Sequence, residues 1–248
     1  AAAIVVGDQS YTTLADAFAA VPDTTDLTGT PTYVKVKGEI ELNATVDVPA
    51  TKNIMLVAAE DTTIKRAAGF TGSMFTVNGG NLQMAGGSVT DSNGTAIGSG
   101  SLTVDGSGDG VTGSIVEVVS GNYGLTDDAV LTGNKTTGNA GAISNTADGN
   151  VYLLGGTITG NSATTGGAIY SEGAVSIRGT VSVTGNTVIN STPETASNVV
   201  LDKNGIINVN GAVTGSTIGL AVQEAAAGRT VVKLADGVTD VTLSDVIS

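Results

Sequence analysis

The sequence contains no cysteine, no histidine and no tryptophan among its 248 residues. Without cysteine there is no disulfide framework, no thiolate-bound zinc or iron–sulfur cluster and no thiol nucleophile. Without histidine, the chain lacks the commonest general base, the commonest metal ligand and any Ser-His-Asp triad. These absences exclude several large classes of enzyme and metalloprotein, and we predict neither a cofactor nor a metal site.

Charged and aromatic residues are scarce as well. Charged residues make up 13% of the chain and aromatic residues 3%, and the charged share is about half the usual one. The 10 basic and 23 acidic residues give a net charge of −13, which argues against nucleic acid or an anionic membrane surface as a partner. No apolar run approaches the ~18–20 residues of a membrane span, so we expect no membrane insertion of this segment.

Glycine, in contrast, is abundant, with 36 residues, about twice its average usage. It follows no triplet period, which excludes collagen. A hydrophobic fraction of 40% and a mean hydropathy of +0.23 exclude a disordered chain. The first four residues lack the basic stretch of a signal peptide. This composition favours an extracellular, cell-surface or cell-wall protein whose targeting signal and anchor have been removed.

The chain also repeats itself, at intervals in the low to middle twenties. Residues 80–90 align without a gap with residues 149–159, at an offset of 69 that divides into three units of 23. A shorter unit, an aliphatic residue followed by Thr-Gly-Asn, begins at Leu131, Ile158 and Val183. These copies start 27 and then 25 residues apart, so the repeat unit tolerates insertions.

Further copies support the same unit. Gly-Ala-Ile recurs in residues 140–143 and 166–169, and residues 173–179 resemble residues 205–211 at an offset of 32. Residues 89–97 are interpreted as an earlier, decayed copy of the unit. The repeat therefore extends over most of the chain.

Each unit contains short segments in which apolar and polar residues alternate. Val175 and Ile177 are predicted to point inwards, and Ser176 and Arg178 outwards. Strands of three to five residues bury no apolar face alone, but stacked parallel coils join them into one column. We predict an all-β fold, a right-handed single-stranded parallel β-helix of roughly ten coils. An antiparallel sandwich with glycine turns is the alternative, but it leaves the repeat unexplained.

Asparagine occupies matching positions of three copies, Asn134, Asn161 and Asn186. Asparagine tolerates the left-handed backbone of a sharp corner, and its amide can bond to the equivalent amide of the next coil. The glycine before each one removes a Cβ where the chain turns. We predict an asparagine ladder at one corner of the solenoid.

The two ends of the chain differ from the repeats, as a solenoid requires. Residues 13–21 predict a short amphipathic helix, with Thr13 as N-cap, Asp16 three residues later and Pro22 at its end. This helix is expected to cover the first coil. Near the other end, residues 221–227 predict a helix or a strand with a loop, and residues 230–234 and 238–243 predict strands.

The boundaries follow from this pattern. We expect a single domain over residues 1–248, with an N-terminal cap in 1–30, coils in 31–220 and a C-terminal cap in 221–248. Residues 22–32 and 191–197 are the expected loop insertions.

Two motifs carry a resemblance to known families. Ile158-x-x-Asn161 followed by Gly-Gly-Ala-Ile at 166–169 resembles the repeat of polymorphic outer membrane proteins, in which Phe-x-x-Asn and Gly-Gly-Ala-Ile alternate. Here Leu131, Ile158 and Val183 replace the phenylalanine of that family, so the match is to a relative of the repeat.

Residues 6–18 and 198–220 resemble pectin-lyase-like modules in large surface proteins of Gram-positive bacteria and methanogens. These resemblances cover most of the chain and imply a right-handed parallel β-helix from an adhesin-like surface protein. They concern the corners of the coils and imply no catalytic site.

Pectin-lyase-like proteins include polysaccharide lyases and hydrolases, so the carboxylates and arginines are the candidate catalytic residues. Asp127 and Asp128 form an adjacent pair that faintly resembles the paired aspartates of polygalacturonases, whose Gly-His-Gly element is absent here. We interpret the pair as a solvated turn and predict no catalytic residue. Arg66, Arg178 and Arg229 are the only arginines; none lies in a lyase motif, and Arg178 is the best placed on a strand.

One stretch resembles a metal-binding loop. Residues 105–110, Asp-Gly-Ser-Gly-Asp-Gly, match positions 1, 3, 5 and 6 of an EF-hand loop. Position 12 is Val116, with Glu117 one residue late, and no flanking helices are predicted. We interpret the stretch as a glycine-rich turn, and calcium binding by Asp105 and Asp109 stays open.

The leading hypothesis is a non-catalytic, adhesin-like structural module, a monomeric part of a larger protein that binds a host or neighbouring-cell protein or glycan. The alternative is a polysaccharide-active lyase or hydrolase of the same fold. A third hypothesis is an ice-binding solenoid, based on outward threonines in residues 157–159 and 180–184. The residues predicted to replace these threonines on other coils are too irregular to match an ice lattice: Gln83, Ser88, Ser101, Ser176 and Arg178.

Overall fold

The structure is a computed structural model that describes residues 1–189, 193, 195–213, 215–223 and 227–238. It contains one helix, α1 (Leu14–Ala20), and short strands from one end of the chain to the other. The strands are β1 (Ala3–Val6), β2 (Gln9–Tyr11), β3 (Thr32–Leu42), β4 (Val46–Pro49), β5 (Asn53–Arg66), β6 (Phe75–Ala85), β7 (Val89–Thr90), β8 (Ala96–Gly98), β9 (Leu102–Asp105), β10 (Val116–Leu125), β11 (Ala129–Thr132), β12 (Ile143–Asn145), β13 (Gly149–Leu153), β14 (Thr157–Thr159), β15 (Ser162–Ala163), β16 (Ile169–Ser171), β17 (Ala174–Ile177), β18 (Ser182–Val183), β19 (Thr187–Val188), β20 (Thr195–Ala196), β21 (Val199–Leu201), β22 (Ile206–Val209), β23 (Thr217–Ile218), β24 (Leu220–Val222) and β25 (Val232–Leu234).

Three rows of parallel strands wind round one axis and form a β-helix. The first face consists of the starts of β3 and β5, the ends of β6 and β10, and then β13, β17, β22 and β25. The second face consists of the ends of β3 and β5, followed by β9, β11, β14, β18 and β23. The third face consists of β4, the starts of β6 and β10, and β12, β16, β21 and β24. Parallel pairing from coil to coil confirms the predicted β-helix and excludes the antiparallel sandwich.

The coils differ in length although their strands stay in register. Along the first face, successive partners lie 22, 28, 41, 28, 24, 32 and 25 residues apart: Val34, Leu56, Met84, Leu125, Leu153, Ile177, Val209 and Leu234. Seven complete coils and the first strand of an eighth lie within the described residues, where roughly ten were expected. Insertions at the corners explain the difference.

The sequence repeats mark equivalent positions in most cases. Leu131, Ile158 and Val183 are register partners on the second face, and Ile143 pairs with Ile169 on the third. The interpretation of the 69-residue offset as three units is wrong, because Asn81 and Asn150 lie two coils apart, with Asn122 between them.

The decayed copy predicted at residues 89–97 is also not a coil. It belongs to an antiparallel hairpin, β7–β8, within an insertion over residues 86–101 that makes one coil 41 residues long. The insertion closes at its base, where the Gly87 N–H donates to the Gly100 carbonyl at 2.8 Å.

Aliphatic side chains from all three faces fill the interior. Val175, Ile177 and Val183 are almost completely buried and Arg178 is exposed, as the alternation predicts. The hydroxyl-bearing ring of Tyr123 is also fully buried in this column, and its hydroxyl donates to the Met84 sulfur at 3.2 Å. Burial raises the pKa of the Tyr123 hydroxyl, which therefore stays neutral.

The N-terminal cap contains the predicted helix and a hairpin that was not predicted. Thr13 is the N-cap of α1; its Oγ1 accepts from the Asp16 N–H at 3.1 Å and donates to the Asp16 carboxylate at 2.7 Å. The helix packs on β4, and Phe18 lies 6.3 Å from the Phe75 ring. The β1–β2 hairpin pairs antiparallel with the start of β3. The cap thus covers the third and first faces.

Part of the predicted C-terminal region lies outside the described residues. β25 confirms the strand expected in residues 230–234, and β24 forms the start of the 221–227 segment. Residues 224–226, most of the strand predicted at 238–243, and residues 191, 192 and 194 of the predicted loop insertion lie outside.

The predicted asparagine ladder stands at the corner after the second face. The Asn134 N–H donates to Asn161 Oδ1 at 3.1 Å, and the Asn161 N–H donates to Asn186 Oδ1 at 3.0 Å. Asn198, which was not predicted as a member, continues the ladder by accepting from Asn186 Nδ2 at 2.9 Å. The left-handed backbone belongs to the glycine before each of the three predicted ladder residues, with φ of +68° at Gly160, and not to the asparagines.

Candidate functional site

The adjacent aspartates, Asp127 and Asp128, lie at a corner between the first and second faces. Asp128 has a φ of +53°, the only non-glycine residue with positive φ among those described. Its carboxylate lies against Gly87 of the preceding coil, whereas that of Asp127 lies against Gly155 of the following coil. Their backbone carbonyls accept from Gly86 and Leu102. At this tight corner the two carboxylates are therefore directed towards different neighbouring coils.

Two of the three arginines hold the backbone together. The Arg66 guanidinium donates to the carbonyls of Gly106 at 3.0 Å, Phe70 at 3.3 Å and Gly72, and to Asn134 Oδ1 at 3.2 Å. Its burial lowers the pKa. Arg229 donates to carbonyls at its own end of the solenoid in a similar way. Arg178 is exposed, and it belongs to none of the ion pairs among the described residues.

The stretch that resembles a calcium-binding loop, residues 105–110, forms a turn that is bonded to the next coil. Asp105 Oδ1 accepts from the Ser107 N–H at 2.9 Å, and the Ser107 hydroxyl donates to the Gly133 carbonyl at 3.2 Å. Over the described part of the chain, no group of three or more acidic, histidine or cysteine side chains lies close enough together to hold a metal ion. The turn interpretation accounts for these contacts.

The concave feature that joins the most coils is a groove of about 380 Å³ on the first face, which we call the first-face groove. It crosses five consecutive coils, from the coil of Asn81 to the coil of Asn210. Its lining residues are Leu27, Asn81, Gln83, Asn122, Gly124, Tyr152, Leu154, Ser176, Ile177, Arg178 and Asn210.

The groove exists because one outward position has no side chain. Gln83, Gly124, Tyr152 and Ser176 are register partners in four successive coils. A Cβ at Gly124 would lie 3.3 Å from the Gln83 side chain, so glycine leaves a depression between Gln83 and Tyr152. Tyr152 lies next to this position in the following coil and is the only aromatic residue that lines the groove.

The loop before β3 supplies the opposite wall, with Leu27 at its edge. Asp26 orders this loop: its Oδ1 accepts from the Thr28 N–H and the Gly29 N–H, both at 3.0 Å, and the Thr28 hydroxyl lowers the Asp26 pKa most. The loop is tied to the first face where Asn53 Nδ2 donates to the Gly29 carbonyl at 3.1 Å. Hydrogen bonds within the loop and to the first face therefore hold this wall of the groove in place.

The lining chemistry of the first-face groove suits binding more than catalysis. It offers amide, hydroxyl and phenol groups and one guanidinium, and no carboxylate lines it. Amides and an arginine donate and accept hydrogen bonds along an extended polar ligand, and a tyrosine face packs on its apolar side. An acid–base pair of the kind used in glycoside hydrolysis is missing from this lining.

The sequence predicted outward positions for Arg178, Gln83 and Ser176, but it did not predict that they line a common groove. Each coil contributes only one or two ordinary polar residues, so no local motif stands out. A signal does exist in the Gly-Asn pairs that precede three first-face strands, at Asn81, Asn122 and Asn150. These pairs mark the start of one outward column.

The register also corrects the positions assigned to the outward threonines. Thr157 lies on the second face, and its column contains threonine, serine or valine in six coils: Thr63, Thr103, Val130, Thr157, Ser182 and Thr217. The equivalents assigned from the sequence were wrong, because Gln83, Ser176 and Arg178 belong to the first face. The neighbouring column starts with Glu41, Lys65 and Asp105, so the flat uncharged area is confined to the middle coils.

No family model, no curated protein and no solved structure matches this chain. The fold defines its class: a parallel β-helix with a capped N-terminal end. Among the described residues, no helix has the length and apolar character that crossing a membrane requires.

Proposed function

We propose that this chain is a non-catalytic, adhesin-like module of an extracellular cell-surface protein, and that its first-face groove binds an extended glycan of a host or neighbouring cell. The observation that carries the proposal is the groove lining, which combines amides, Tyr152 and Arg178 without a carboxylate. The resemblance to pectin-lyase-like surface modules and to the polymorphic outer membrane protein repeat supports the cellular setting. Aromatic residues, on which sugar rings commonly stack, make up only 3% of the chain, but one of them, Tyr152, lines the groove.

Arg178 indicates which glycans suit the groove best. It is the only charged residue in the lining, and a guanidinium binds a carboxylate through two parallel hydrogen bonds. The net charge of −13 repels polyanions over long distances, and this repulsion is screened beyond about 8 Å at physiological salt. We therefore favour a short glycan segment with isolated carboxylates over a dense polyanion.

The test is calorimetric titration with a galacturonate trisaccharide and, as its neutral counterpart, a galactose trisaccharide. We expect the acidic sugar to bind more tightly. Arg178→Ala is expected to weaken its binding by about tenfold or more, since a hydrogen bond to a charged group contributes about 1.5–3 kcal/mol. Lys203→Ala, at an exposed turn away from the lining, is the matched control and should leave binding unchanged.

Incubation with acidic polysaccharides separates this proposal from the enzyme hypothesis. Prolonged incubation with polygalacturonate, alginate and chondroitin, with and without calcium, should yield no shorter products. Turnover that disappears in Asp127→Asn or Asp128→Asn would show that the chain is an enzyme. Sugar binding that Arg178→Ala and Tyr152→Ala leave unchanged would place the ligand elsewhere on the molecule.

A further inference from the structure

Glycine directly follows four asparagines of the chain: Asn78, Asn93, Asn204 and Asn210. In such a pair the asparagine side chain is open to attack by the next backbone nitrogen, because glycine has no Cβ to shield it. The attack requires that nitrogen to lose its proton. An N–H that donates a hydrogen bond to a nearby carbonyl is therefore less reactive, and the four pairs differ in this respect.

Three of the four pairs are held by turn hydrogen bonds or by strand pairing. The Gly94 N–H donates to the Asp91 carbonyl at 3.0 Å. The Gly205 N–H donates to the Asp202 carbonyl at 3.2 Å and to its Oδ1 at 3.1 Å. Asn78 lies inside β6, between β4 and β10. The backbone of these pairs is therefore fixed.

The pair at Asn210 differs from the other three. Asn210 is exposed and lies directly after β22, outside the strand. Its own N–H donates to the Ile177 carbonyl at 2.9 Å, but over the part of the chain that the structure describes, the Gly211 N–H donates to no acceptor. The nitrogen that would attack the Asn210 side chain is thus the least protected of the four.

We propose that Asn210 is a site of spontaneous deamidation. The Gly211 nitrogen loses its proton and forms a bond to Cγ of Asn210, the bond between Cγ and the side-chain nitrogen breaks, and ammonia leaves with that proton. Water then opens the cyclic imide and leaves aspartate or isoaspartate at this position. In sum, one amide and one water become one carboxylate and one ammonium ion.

The new carboxylate enters the first-face groove next to its guanidinium. Ile177 and Val209 are register partners. The residues that follow them, Arg178 and Asn210, are both exposed and both line the groove, in neighbouring coils about 4.8 Å apart. A Cβ at Gly211 would lie 3.5 Å from the Arg178 side chain, so this segment packs on the arginine.

Deamidation therefore provides Arg178 with a carboxylate partner from the chain itself, and the two groups attract each other strongly. An acidic glycan then competes with this partner, and its binding weakens with the age of the protein. This consequence rests on the proposed function of the groove, whereas the modification of Asn210 does not.

The modification is tested by incubating the whole chain in neutral buffer at physiological temperature and mapping its peptides by tandem mass spectrometry at successive times. We expect Asn210 to deamidate at least fivefold faster than the other three asparagines. The rate should rise with pH, because more of the attacking nitrogen is deprotonated. A rate at Asn210 no higher than at Asn204 or Asn93 would overturn the proposal.

Gly211→Ala tests the route through the neighbouring nitrogen. The added methyl has room, since its nearest neighbours lie 3.5 Å or more away, but it shields the nitrogen. We expect deamidation of Asn210 to slow at least tenfold, with the rate at Asn204 unchanged as an internal control. An unchanged rate at Asn210 would contradict this route.

Asn210→Asp makes the charge change at once. We expect it to weaken binding of the galacturonate trisaccharide at least fivefold and to leave binding of the galactose trisaccharide unchanged. Asn204→Asp makes the same change at an exposed turn outside the lining and is the matched control. In an Arg178→Ala background, Asn210→Asp should have little further effect. Equal weakening in both backgrounds would overturn the competition for Arg178.

The Arg178 Nε–H signal in NMR separates this inference from the proposed function, because it needs no sugar. We expect the signal to shift in Asn210→Asp and not in Asn204→Asp. This shift, together with no galacturonate binding by the unmodified chain, would reject the proposed function and keep the pairing. An absent shift would overturn the pairing of the new carboxylate with Arg178.

Discussion

The corner between the second and third faces is built in two different ways. In the C-terminal half, Asn134 and Asn161 each bond to the asparagine amide of the next coil, and Asn186 bonds to the amide of Asn198 in its own coil. In the N-terminal half, where Ala67 and Ser107 follow the corresponding strands, one buried guanidinium, that of Arg66, takes over this role. The difference shows that a solenoid corner needs satisfied carbonyls, which either a repeated short amide or one long side chain can supply.

We expect the stability of the corner to depend more on Arg66 than on any one ladder asparagine, because the Arg66 side chain reaches from its own coil to the next two. It donates to Gly106 in the next coil and to Asn134 in the one after. It also lies over the Phe70 ring at 5.0 Å. In the ladder, in contrast, the hydrogen bonds at the corner are divided among several equivalent asparagines. The following substitutions test this comparison.

Arg66→Ala should have the largest effect. It leaves buried carbonyls without donors, and each unsatisfied buried group costs about 1–3 kcal/mol. We expect the free energy of unfolding to fall by about 3 kcal/mol or more, measured by urea denaturation followed by circular dichroism. Arg66→Lys keeps the charge but loses the planar fork, so we expect an intermediate loss.

The exposed Arg178→Ala is the control for that experiment and should change stability by less than about 0.5 kcal/mol. A loss of stability at Arg66→Ala no greater than at Arg178→Ala would contradict the role given to Arg66.

Asn161→Ala should have the second-largest effect, since it removes the middle of the ladder. Its Nδ2 donates to the Leu131 carbonyl at 3.1 Å and the Thr159 carbonyl at 3.0 Å, and its Oδ1 accepts from Asn134. We expect a loss of about 2–3 kcal/mol in the same denaturation measurement. Asn93→Ala, at an exposed turn, is the control. Equal losses at the two positions would mean that the ladder contributes nothing of its own.

The smallest effect concerns pH and the long insertion of the N-terminal half. Asp61 Oδ1 accepts from the Ser101 N–H and hydroxyl, both at 2.9 Å, and these bonds lower the Asp61 pKa below its ordinary value of 3.8. A lowered pKa in the folded state means that this tie is intact above pH 3.8 and is lost as pH falls through the lowered value.

We therefore expect the Ser101 amide signal in NMR to titrate below pH 3.8, together with other amides of residues 86–101. The ladder amides should not move in this range. Asp61→Asn should abolish the titration of Ser101. An Asp61 that titrates at its ordinary value would show that the carboxylate does not hold the insertion.

Much of the fold was predictable because its repeats fix both alternation and register. Leu131, Ile158 and Val183 are equivalent in sequence and in space, and the asparagines that follow them form the ladder. The number of coils was not predictable from the 69-residue offset, since similarity marks equivalent positions but not how many turns separate them. The hairpin in residues 86–101 hid this difference.

The candidate sites were less accessible to sequence reasoning. Arg66 is not part of a repeated motif. Its partners are mostly backbone carbonyls, and these leave no pattern in a sequence. The first-face groove collects single residues such as Gln83 and Tyr152 that lie far apart in the chain.

The hairpin of residues 86–101 has an evolutionary consequence. The chain leaves the solenoid after β6 and returns to it at β9, and Gly87 and Gly100 meet at the base of the excursion. The coils before and after it keep their register. New sequence can therefore be acquired at such a corner without disturbing the three faces of the solenoid, and a protein of this kind can vary its corner insertions while the stacked coils stay the same.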